Sequence, residues 1–234
     1  MKTVLLKFAG PLQSWGTSSH FETRHTDLHP SKSAVVGLIA AAFGYRRNEE
    51  NKIRDLNQLQ FAVRTDQTGT ITDDYQTAHR YKYHPDPVLE RTYVTHRYYL
   101  EDAVFVAAVG HDDDQWMDEI IQALRHPYFQ LYMGRRSCPV PEDFLLRVTE
   151  QDVITSLQQE PLQAEGWYRR KYSGPVYIYA DVQSLAGKPV TLRRDLISSL
   201  SWENRSYIWR QEAETEIKVK QQQEEHDVFA SLGD

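Results

Sequence analysis

Through residues 1–141, apolar residues form short runs of strand length that alternate with longer segments of helical periodicity. Short apolar runs bounded by turn residues indicate strands, whereas apolar residues repeating every three or four positions indicate amphipathic helices. The predicted elements are strands at Thr3–Phe8, Gln60–Thr65, Asp102–Val109 and Phe129–Met133, and helices at Pro30–Gly44 and Trp116–Leu124. Their β-α-β-β-α-β order predicts an α+β fold with a ferredoxin-like (RRM-like) palm, in which two helices cover one sheet.

The Pro30–Gly44 segment carries the clearest helix signals in the chain. Ser31 or Ser33 can cap its start, and Gly44 is suited to ending it. Its first turn also offers free backbone N–H groups beside Lys32, an arrangement that suits an anion such as phosphate. Capping accounts for the two serines equally well, so both interpretations stay open.

Residues 66–101 form a long insertion between the second and third predicted strands, which a short turn joins in most folds of this order. The stretch Ala78–Leu100 predicts a hairpin thumb with its tip at Pro85–Pro87. It combines four basic residues with five tyrosines: Arg80, Lys82, Arg91, Arg97, Tyr81, Tyr83, Tyr93, Tyr98 and Tyr99. Cations alternating with flat rings are typical of single-stranded nucleic-acid binding. The alternative is a solvated hairpin whose tyrosines pack against the sheet.

The C-terminal third divides into two parts of different composition. Residues 142–210 contain two strand-like segments, SGPVYIYAD and SYIWR, and predict a small β-rich extension with Trp202 and Trp209 in its core. Residues 211–234 carry a net charge of −5 and are rich in glutamine and glutamate. This composition predicts an acidic tail, helical at first and then partly disordered.

Composition narrows the class of protein. The 234 residues are 40% hydrophobic and 26% charged, as in an ordinary globular protein. No apolar run approaches the ~20 residues of a membrane span, and the N-terminal apolar run is too short for a signal peptide. One cysteine excludes an internal disulfide framework, which favours a cytoplasmic location. The net charge of −6 resides mostly in the tail, so residues 1–210 are nearly neutral and can hold local basic surfaces.

The stretch LYMGRRSC, residues 131–138, contains the single cysteine. Gly134 frees the backbone for close approach to a phosphate, and Arg135 and Arg136 offer planar forks of donors. Cys138 could be a nucleophile whose pKa the arginines lower, but no base or orienting partner is adjacent. We therefore expect Cys138 to be a small loop residue and the arginines to be the functional groups.

The sequence gives little support for a metal, cofactor or catalytic site. His111–Asp114 offers metal-ligand residue types, but it lies in the turn before the second helix, where acids stabilise the helix start. We expect no metal and no cofactor, since nucleotide-binding, zinc-protease and serine-hydrolase motifs are absent. A metal-independent ribonuclease remains conceivable, because a histidine with a tyrosine or lysine could move protons at a ribose hydroxyl.

Four segments carry a resemblance to a known family: AGPLQSWG, HPSKSAVVGLIAAAFG, YYLEDAVFVAAV and PYFQLYMGRRSCPVP. They resemble, in the same order, the CasD subunits of type I-E CRISPR Cascade complexes, which belong to the RAMP superfamily. The likeness runs from Phe8 to about Pro141, and GRRSCP is its most specific element.

The resemblance implies a palm-and-thumb protein that binds RNA without cutting it. Such a subunit grips the 5′ handle of the CRISPR RNA, caps one end of the backbone-subunit filament and contacts the large subunit; target DNA is reached through its neighbours. The implied RNA-binding residues are Lys32, Arg97, Tyr132, Gly134, Arg135, Arg136, Ser137 and Cys138. Arg80, Tyr81, Lys82 and Arg91 are thumb candidates for RNA or partner contacts on charge and composition alone.

Two rival functions remain open at this point. The first is a metal-independent endoribonuclease that processes precursor CRISPR RNA, as relatives in other CRISPR subtypes do. The second is an assembly protein whose basic hairpin contacts a neighbouring subunit and no RNA.

Overall fold

Strand β1 (Lys2–Ala9) lies inside a large antiparallel sheet in the computed structural model, which describes residues 1–18, 20, 22–83, 85–172, 174–201 and 203–217. The other strands are β2 (Leu12–Gln13), β3 (Thr23–Arg24), β4 (Gln60–Gln67), β5 (Thr70–Tyr83), β6 (Pro87–Glu101), β7 (Val104–His111), β8 (Leu145–Thr149), β9 (Val176–Asp181), β10 (Val190–Leu200) and β11 (Arg205–Ile217). The helices are α1 (Lys32–Phe43), α2 (Glu50–Asp55), α3 (Asp114–Arg125), α4 (Val153–Gln159) and α5 (Gly166–Lys171), with 3₁₀ turns at Leu56–Gln58 and Val182–Ser184. Within these residues, no helix is long and apolar enough to cross a membrane.

The described strands of the large sheet lie in the order β10-β11-β9-β4-β7-β1-β8, with antiparallel pairing throughout. In β1, Val4 and Leu6 belong to the main core cluster, which also holds the buried faces of α1 and α3. Leu5 points to the other side and joins a second cluster with Val153 and Leu157 of α4. Both faces of β1 are therefore covered, which explains why its sequence is an apolar run without alternation.

The two predicted helices are confirmed, together with their caps. The hydroxyl of Ser31 accepts a hydrogen bond from the Ala34 backbone N–H, and Gly44 ends α1 with a left-handed φ of 77°. Asp113 caps α3 by accepting from the Trp116 N–H, so the acids before this helix serve its first turn. The strands predicted at Thr3, Gln60 and Asp102 correspond to β1, β4 and β7, although Asp102 itself lies in the turn before β7.

The strand predicted at Phe129–Met133 is wrong. Within the described residues this segment is irregular, with one isolated bridge between Tyr132 and Pro139, and the edge strand beside β1 is β8 instead. Leu131 and Met133 are buried because the segment packs on the core as a loop. The Met133 carbonyl accepts from the Ser14 N–H at 3.2 Å, so its backbone pairs with the N-terminal loop.

The insertion forms the predicted hairpin. β5 and β6 pair from Thr70 and Glu101 at the base to Tyr83 and Pro87 near the tip, while His84 lies outside the described residues. The short strands β2 and β3 pair with the lower part of β6 and anchor it to the body of the protein. The tyrosines differ in burial: Tyr99 is buried at the base, whereas Tyr75 and Tyr81 are exposed.

The C-terminal residues extend the main sheet. β9 pairs with β4, and β11 lies between β9 and β10. The strands predicted in SGPVYIYAD and SYIWR are confirmed as β9 and β11. The helical tail expected from residue 211 is wrong for residues 211–217, which complete β11; residues 218–234 lie outside the described part. Trp209 was expected in the core but is 63% exposed, and Trp202 is not among the described residues.

Candidate nucleic-acid interface

A groove of about 1350 Å³ runs between α1, the segment 129–136 and the ends of β10 and β11. Seven arginines from five segments line it, and none of the described lining residues is Asp or Glu. They are Arg24, Arg46, Arg47, Arg135, Arg136, Arg194 and Arg205. In a chain with a net charge of −6, this is a strong local concentration of positive charge, suited to a polyanion.

Aromatic rings position several of these arginines. The guanidinium of Arg46 lies 4.9 Å from the ring centroid of Phe129. Arg205 donates through Nε to the Tyr207 hydroxyl at 2.7 Å, and Arg194 donates through Nε to the Tyr207 carbonyl at 3.0 Å. Contacts of this kind hold the cations in place while leaving their outer N–H groups for a ligand.

Gly134 holds the arginine loop against the N-terminal segment. It has a φ of 82°, and a β-carbon at this position would lie 1.6 Å from the Ser14 carbonyl oxygen. The sequence-based expectation was that glycine here makes room for RNA. In the structure, glycine is needed at position 134 because its backbone lies against the Ser14 carbonyl, which leaves no space for a side chain.

Arg135 links the groove to the base of the hairpin. Its Nη2 donates to the Arg24 carbonyl at 3.0 Å, and its guanidinium lies 4.2 Å from the ring centroid of Tyr99. Its Nη1 is buried without a hydrogen-bond partner in the protein. Arg136 and Tyr132, by contrast, are exposed at the groove wall; the neighbouring Ser137 is exposed but does not line the groove.

Cys138 is 2% exposed and packs in the main core. Burial raises the pKa of its thiol, with Ser137 and Arg135 opposing the shift. Its backbone N–H donates to the Arg135 carbonyl at 2.9 Å, and its carbonyl accepts from Met133 at 2.7 Å. These contacts agree with the interpretation of Cys138 as a loop residue, and burial in its neutral form makes it a poor nucleophile.

Lys32, which the family resemblance implied as an RNA contact, does not line the groove. Its side chain is 5% exposed and its Nζ donates to Asp181 at 2.9 Å. Burial lowers the pKa of Lys32, and Asp181 opposes this shift. Arg210 donates to Asp195 and Asp181 in the same cluster, so α1 is joined to β9, β10 and β11 through buried ion pairs. The sequence could not reveal this because the partners of Lys32 are about 150 residues away.

Arg97 and the hairpin candidates lie apart from the groove lining. Arg97 is half-buried in β6, opposite Arg24 of β3, and its Nε has no hydrogen-bond partner in the protein. Glu90 forms ion pairs with Arg80 at 2.9 Å and Lys82 at 3.1 Å. The remaining thumb candidates are exposed: Arg91 lies 4.7 Å from the Tyr93 ring centroid, and Tyr81 is near His79.

The sequence predicted two of the seven groove arginines as RNA-binding residues. Arg135 and Arg136 are adjacent in a recognisable loop, whereas Arg24, Arg46, Arg47, Arg194 and Arg205 stand in ordinary turns and strands. Only the doublet Arg46-Arg47 directly after the end of α1 offered a local signal. Among the described residues, no cluster of His, Cys, Asp and Glu is placed to hold a metal ion.

A family model described as CRISPR-associated protein (Cas_Cas5) matches residues 3–226. The chain belongs to the Cas5 family. The curated relatives include the CRISPR system Cascade subunit CasD of Escherichia coli (strain K12), which is 33% identical over 156 residues, 61% of this chain and 69% of that protein. A solved structure titled CRISPR RNA-guided surveillance complex matches with a TM-score of 0.75 and 30% identity, over 93% of this chain and 90% of the matched one.

A second solved structure, titled Crystal structure of Cas protein, has a TM-score of 0.65 and 29% identity, over 92% of this chain and 94% of that chain. The Cas5 match spans every arginine of the groove, both strands of the hairpin and the C-terminal strands. These comparisons confirm the family resemblance seen in the sequence. The chain is a CRISPR-associated protein with an α+β fold.

Proposed function

We propose that this Cas5-family chain is a non-catalytic RNA-binding subunit of a Cascade-type CRISPR surveillance complex and that its groove holds the 5′ handle of the CRISPR RNA. The observation that carries the proposal is the set of seven arginines facing one groove without a described acidic neighbour in the lining. Phosphates supply the matching negative charge, and release of their counterions supplies much of the affinity.

The groove also suits single-stranded RNA in shape and in side-chain chemistry. Besides the arginines, its lining includes the rings of Tyr45, Phe129, Tyr132 and Tyr207. Rings of this kind stack on splayed bases, while arginine forks contact phosphates or base edges. Sequence preference would then come from the bases that reach the loop around Arg135 and Arg136.

A binding role fits the residue types in the groove better than a cleaving role. No histidine or lysine is among the described lining residues, and Cys138 is buried behind the loop. Histidines of the hairpin have partners, since His79 contacts Thr92 at 2.9 Å and His96 contacts Asp73 at 2.8 Å. Metal-independent RNA cleavage needs a general base at the ribose hydroxyl, and histidine is the usual one.

We further propose that β8, β1, β7 and β4 with α1 and α3 form a ferredoxin-like palm and that the β5–β6 hairpin is its thumb. The strand order, with β1 and β7 central and α1 and α3 as the two crossovers, supports this assignment. The relative from Escherichia coli is a Cascade subunit, so the partners we propose are the backbone and large subunits of such a complex, in the cytoplasm.

The test is a tagged pull-down from cells that carry the whole operon, with sequencing of the bound RNA and identification of the co-purifying proteins. The wild type should recover CRISPR subunits and short RNAs that share one 5′ end. The Arg135→Ala, Arg136→Ala double variant should recover less RNA, whereas Arg125→Ala, an exposed arginine on α3 outside the groove, should match the wild type. Full RNA recovery with the double variant would contradict the groove assignment.

The enzyme alternative has its own test. Purified protein is incubated with repeat RNA in EDTA, which removes metal-dependent contaminating nucleases. We expect intact RNA. Site-specific cleavage that disappears in a variant of one histidine or tyrosine would overturn the non-catalytic assignment.

A further inference from the structure

A second basic and aromatic surface lies outside the groove, on α5 and the residue that follows it. The sequence there is GWYRRKY, residues 166–172. We call Trp167, Arg170, Lys171 and Tyr172 the α5 cluster. Trp167 is 47% exposed and Tyr172 is 39% exposed, and both cations are exposed as well. None of the four lines the groove.

The aromatic rings of this surface are held in place by the protein. The Tyr168 hydroxyl accepts a hydrogen bond from the Thr68 N–H at 3.2 Å, which ties α5 to the turn between β4 and β5 at the base of the hairpin. Tyr168 stacks on Tyr172 with ring centroids 5.1 Å apart and meets Trp167 edge to face at 5.7 Å. The Trp167 and Tyr172 rings are therefore supported from behind while part of each remains in solvent.

The cations of the cluster lie beside these rings. Lys171 Nζ is 6.0 Å from the Trp167 ring centroid, one helical turn away. Arg170 Nη1 lies 3.4 Å from the place where a β-carbon on Gly166 would be, so the guanidinium folds back along the helix toward Gly166, the residue before Trp167. Charged groups and an exposed ring thus share one side of a short helix.

The positive charge of the cluster has no counterpart within the helix. Gly166–Lys171 contains no Asp or Glu, and within the described part of the chain neither Arg170 nor Lys171 takes part in an ion pair. The hairpin differs, because Glu90 pairs with both Arg80 and Lys82. Uncompensated cations next to exposed rings suit a ligand with negative charges and flat faces at alternating positions.

We propose that the α5 cluster is a second nucleic-acid-binding surface, which takes single-stranded DNA or RNA outside the groove. Bases stack on Trp167 and Tyr172, and phosphates contact Arg170 and Lys171. An acidic protein surface would also match the charge, but two cations interleaved with two rings over residues 167–172 are the pattern by which single-stranded nucleic acid is held, so we take it as the occupant.

The test measures binding of fluorescent dT and U oligonucleotides of about 12 nucleotides, a length within the usual site size. All proteins carry Arg135→Ala and Arg136→Ala, so that the groove contributes less to the measured oligonucleotide binding. Trp167→Ala and the Arg170→Glu, Lys171→Glu pair are compared with Trp209→Ala, which removes a more exposed tryptophan from β11. The side chains of Trp167, Arg170, Lys171 and Trp209 are exposed, so these substitutions should leave the fold intact; thermal unfolding against the Arg135→Ala, Arg136→Ala background verifies this.

Each α5 variant should weaken binding by about tenfold, the usual effect of losing one stacking ring or two phosphate contacts. Quenching of tryptophan fluorescence by the oligonucleotide should persist in Trp209→Ala and be reduced in Trp167→Ala. A loss confined to dT or to U identifies the ligand as DNA or RNA. Unchanged oligonucleotide binding in both α5 variants, or an equal loss in Trp209→Ala, would overturn the proposal. This holds even if the α5 cluster binds an acidic protein.

Discussion

Gly134 lies so close to the Ser14 carbonyl oxygen that a β-carbon at position 134 would come within 1.6 Å of it. This contact fixes the loop that carries Arg135 and Arg136 to the segment after β2. The groove therefore depends on a backbone-to-backbone contact as well as on its charged side chains.

The first prediction is that Gly134→Ala destabilises the protein and weakens RNA binding together. The substitution forces the two backbones apart and also introduces a side chain at a φ of 82°, where strain costs about 1–3 kcal/mol. Chemical unfolding and RNA affinity measure the two effects. The matched control for the unfolding measurement is Gly37→Ala in α1, where no atom outside the neighbouring helix backbone lies within 4 Å of the new β-carbon and where alanine should stabilise the helix by about 0.5–1 kcal/mol. Equal stability of Gly134→Ala and wild type would contradict the account of this loop.

The second prediction concerns the buried arginine of β4. Arg64 forms an ion pair with Asp66 at 2.6 Å and donates to the Leu157, Glu160 and Pro161 carbonyls, so it closes the end of α4. Arg64→Met should cost about 3–5 kcal/mol of unfolding free energy, because it leaves the Asp66 carboxylate buried without its cation.

Arg54→Met is the control for this prediction. Arg54 pairs with Glu50 along α2, and both side chains are at least about one-third exposed, so its loss should cost less than about 1 kcal/mol. Urea unfolding compares the two variants. Similar losses in both would show that burial does not govern the strength of these pairs.

The third prediction follows from His29, which stacks on Tyr179 with ring centroids 4.0 Å apart. Burial lowers the pKa of His29 well below its ordinary value; Arg193, which donates to the ring at 2.7 Å, and Arg210 act in the same direction, while the Pro30 carbonyl opposes them. As the pH falls below about 6.5, the unfolded chain takes up a proton at this residue that the folded protein does not. The contribution of this group should therefore lower stability as the pH falls, with a slope of at most about 1.4 kcal/mol per pH unit well below the unfolded pKa.

Unfolding free energies measured between about pH 7 and about pH 5 test this dependence. The His29→Gln variant should lose less stability over that range than the wild type, whatever its stability at neutral pH. Identical slopes for the two proteins would exclude His29 as a source of the acid sensitivity.

The fourth prediction is that Cys138 reacts slowly with thiol reagents in the folded protein. Its thiol is buried and its pKa is raised, so little thiolate is available near pH 8. Labelling with iodoacetamide should accelerate strongly in urea, and Cys138→Ala should leave RNA binding unchanged. Rapid labelling of the native protein would instead indicate an accessible, activated thiol.

Local signals predicted the central elements because their causes are local. Ser31 and Gly44 cap α1 through atoms a few residues away, and the apolar runs of β1, β4 and β7 reflect burial on one face by the predicted helices α1 and α3. The helix on the other face, α4, was not predicted. The hairpin could also be predicted from the sequence, since its two strands are adjacent along the chain.

The errors arose where the deciding partner is distant in sequence. The composition of residues 211–217 predicts an acidic tail, yet Glu212 is buried because Arg210 and Arg193 neutralise its charge inside the sheet. The sequence also could not show that Asp181 pairs with Lys32 in the interior. The groove likewise brings together arginines from five segments, and no window of the sequence contains more than two of them.

The most direct test of the groove is a salt series of binding to handle RNA by the wild type, Arg46→Ala, Arg136→Ala and the control Arg125→Ala. Arg46 is decisive because only the structure places it in the same groove as Arg136. Each groove variant should bind more weakly, and the slope of log affinity against log salt should fall by about 0.7 for each lost phosphate contact. Arg125→Ala should match the wild type. Equal affinities and slopes for all four proteins would contradict an RNA-binding groove.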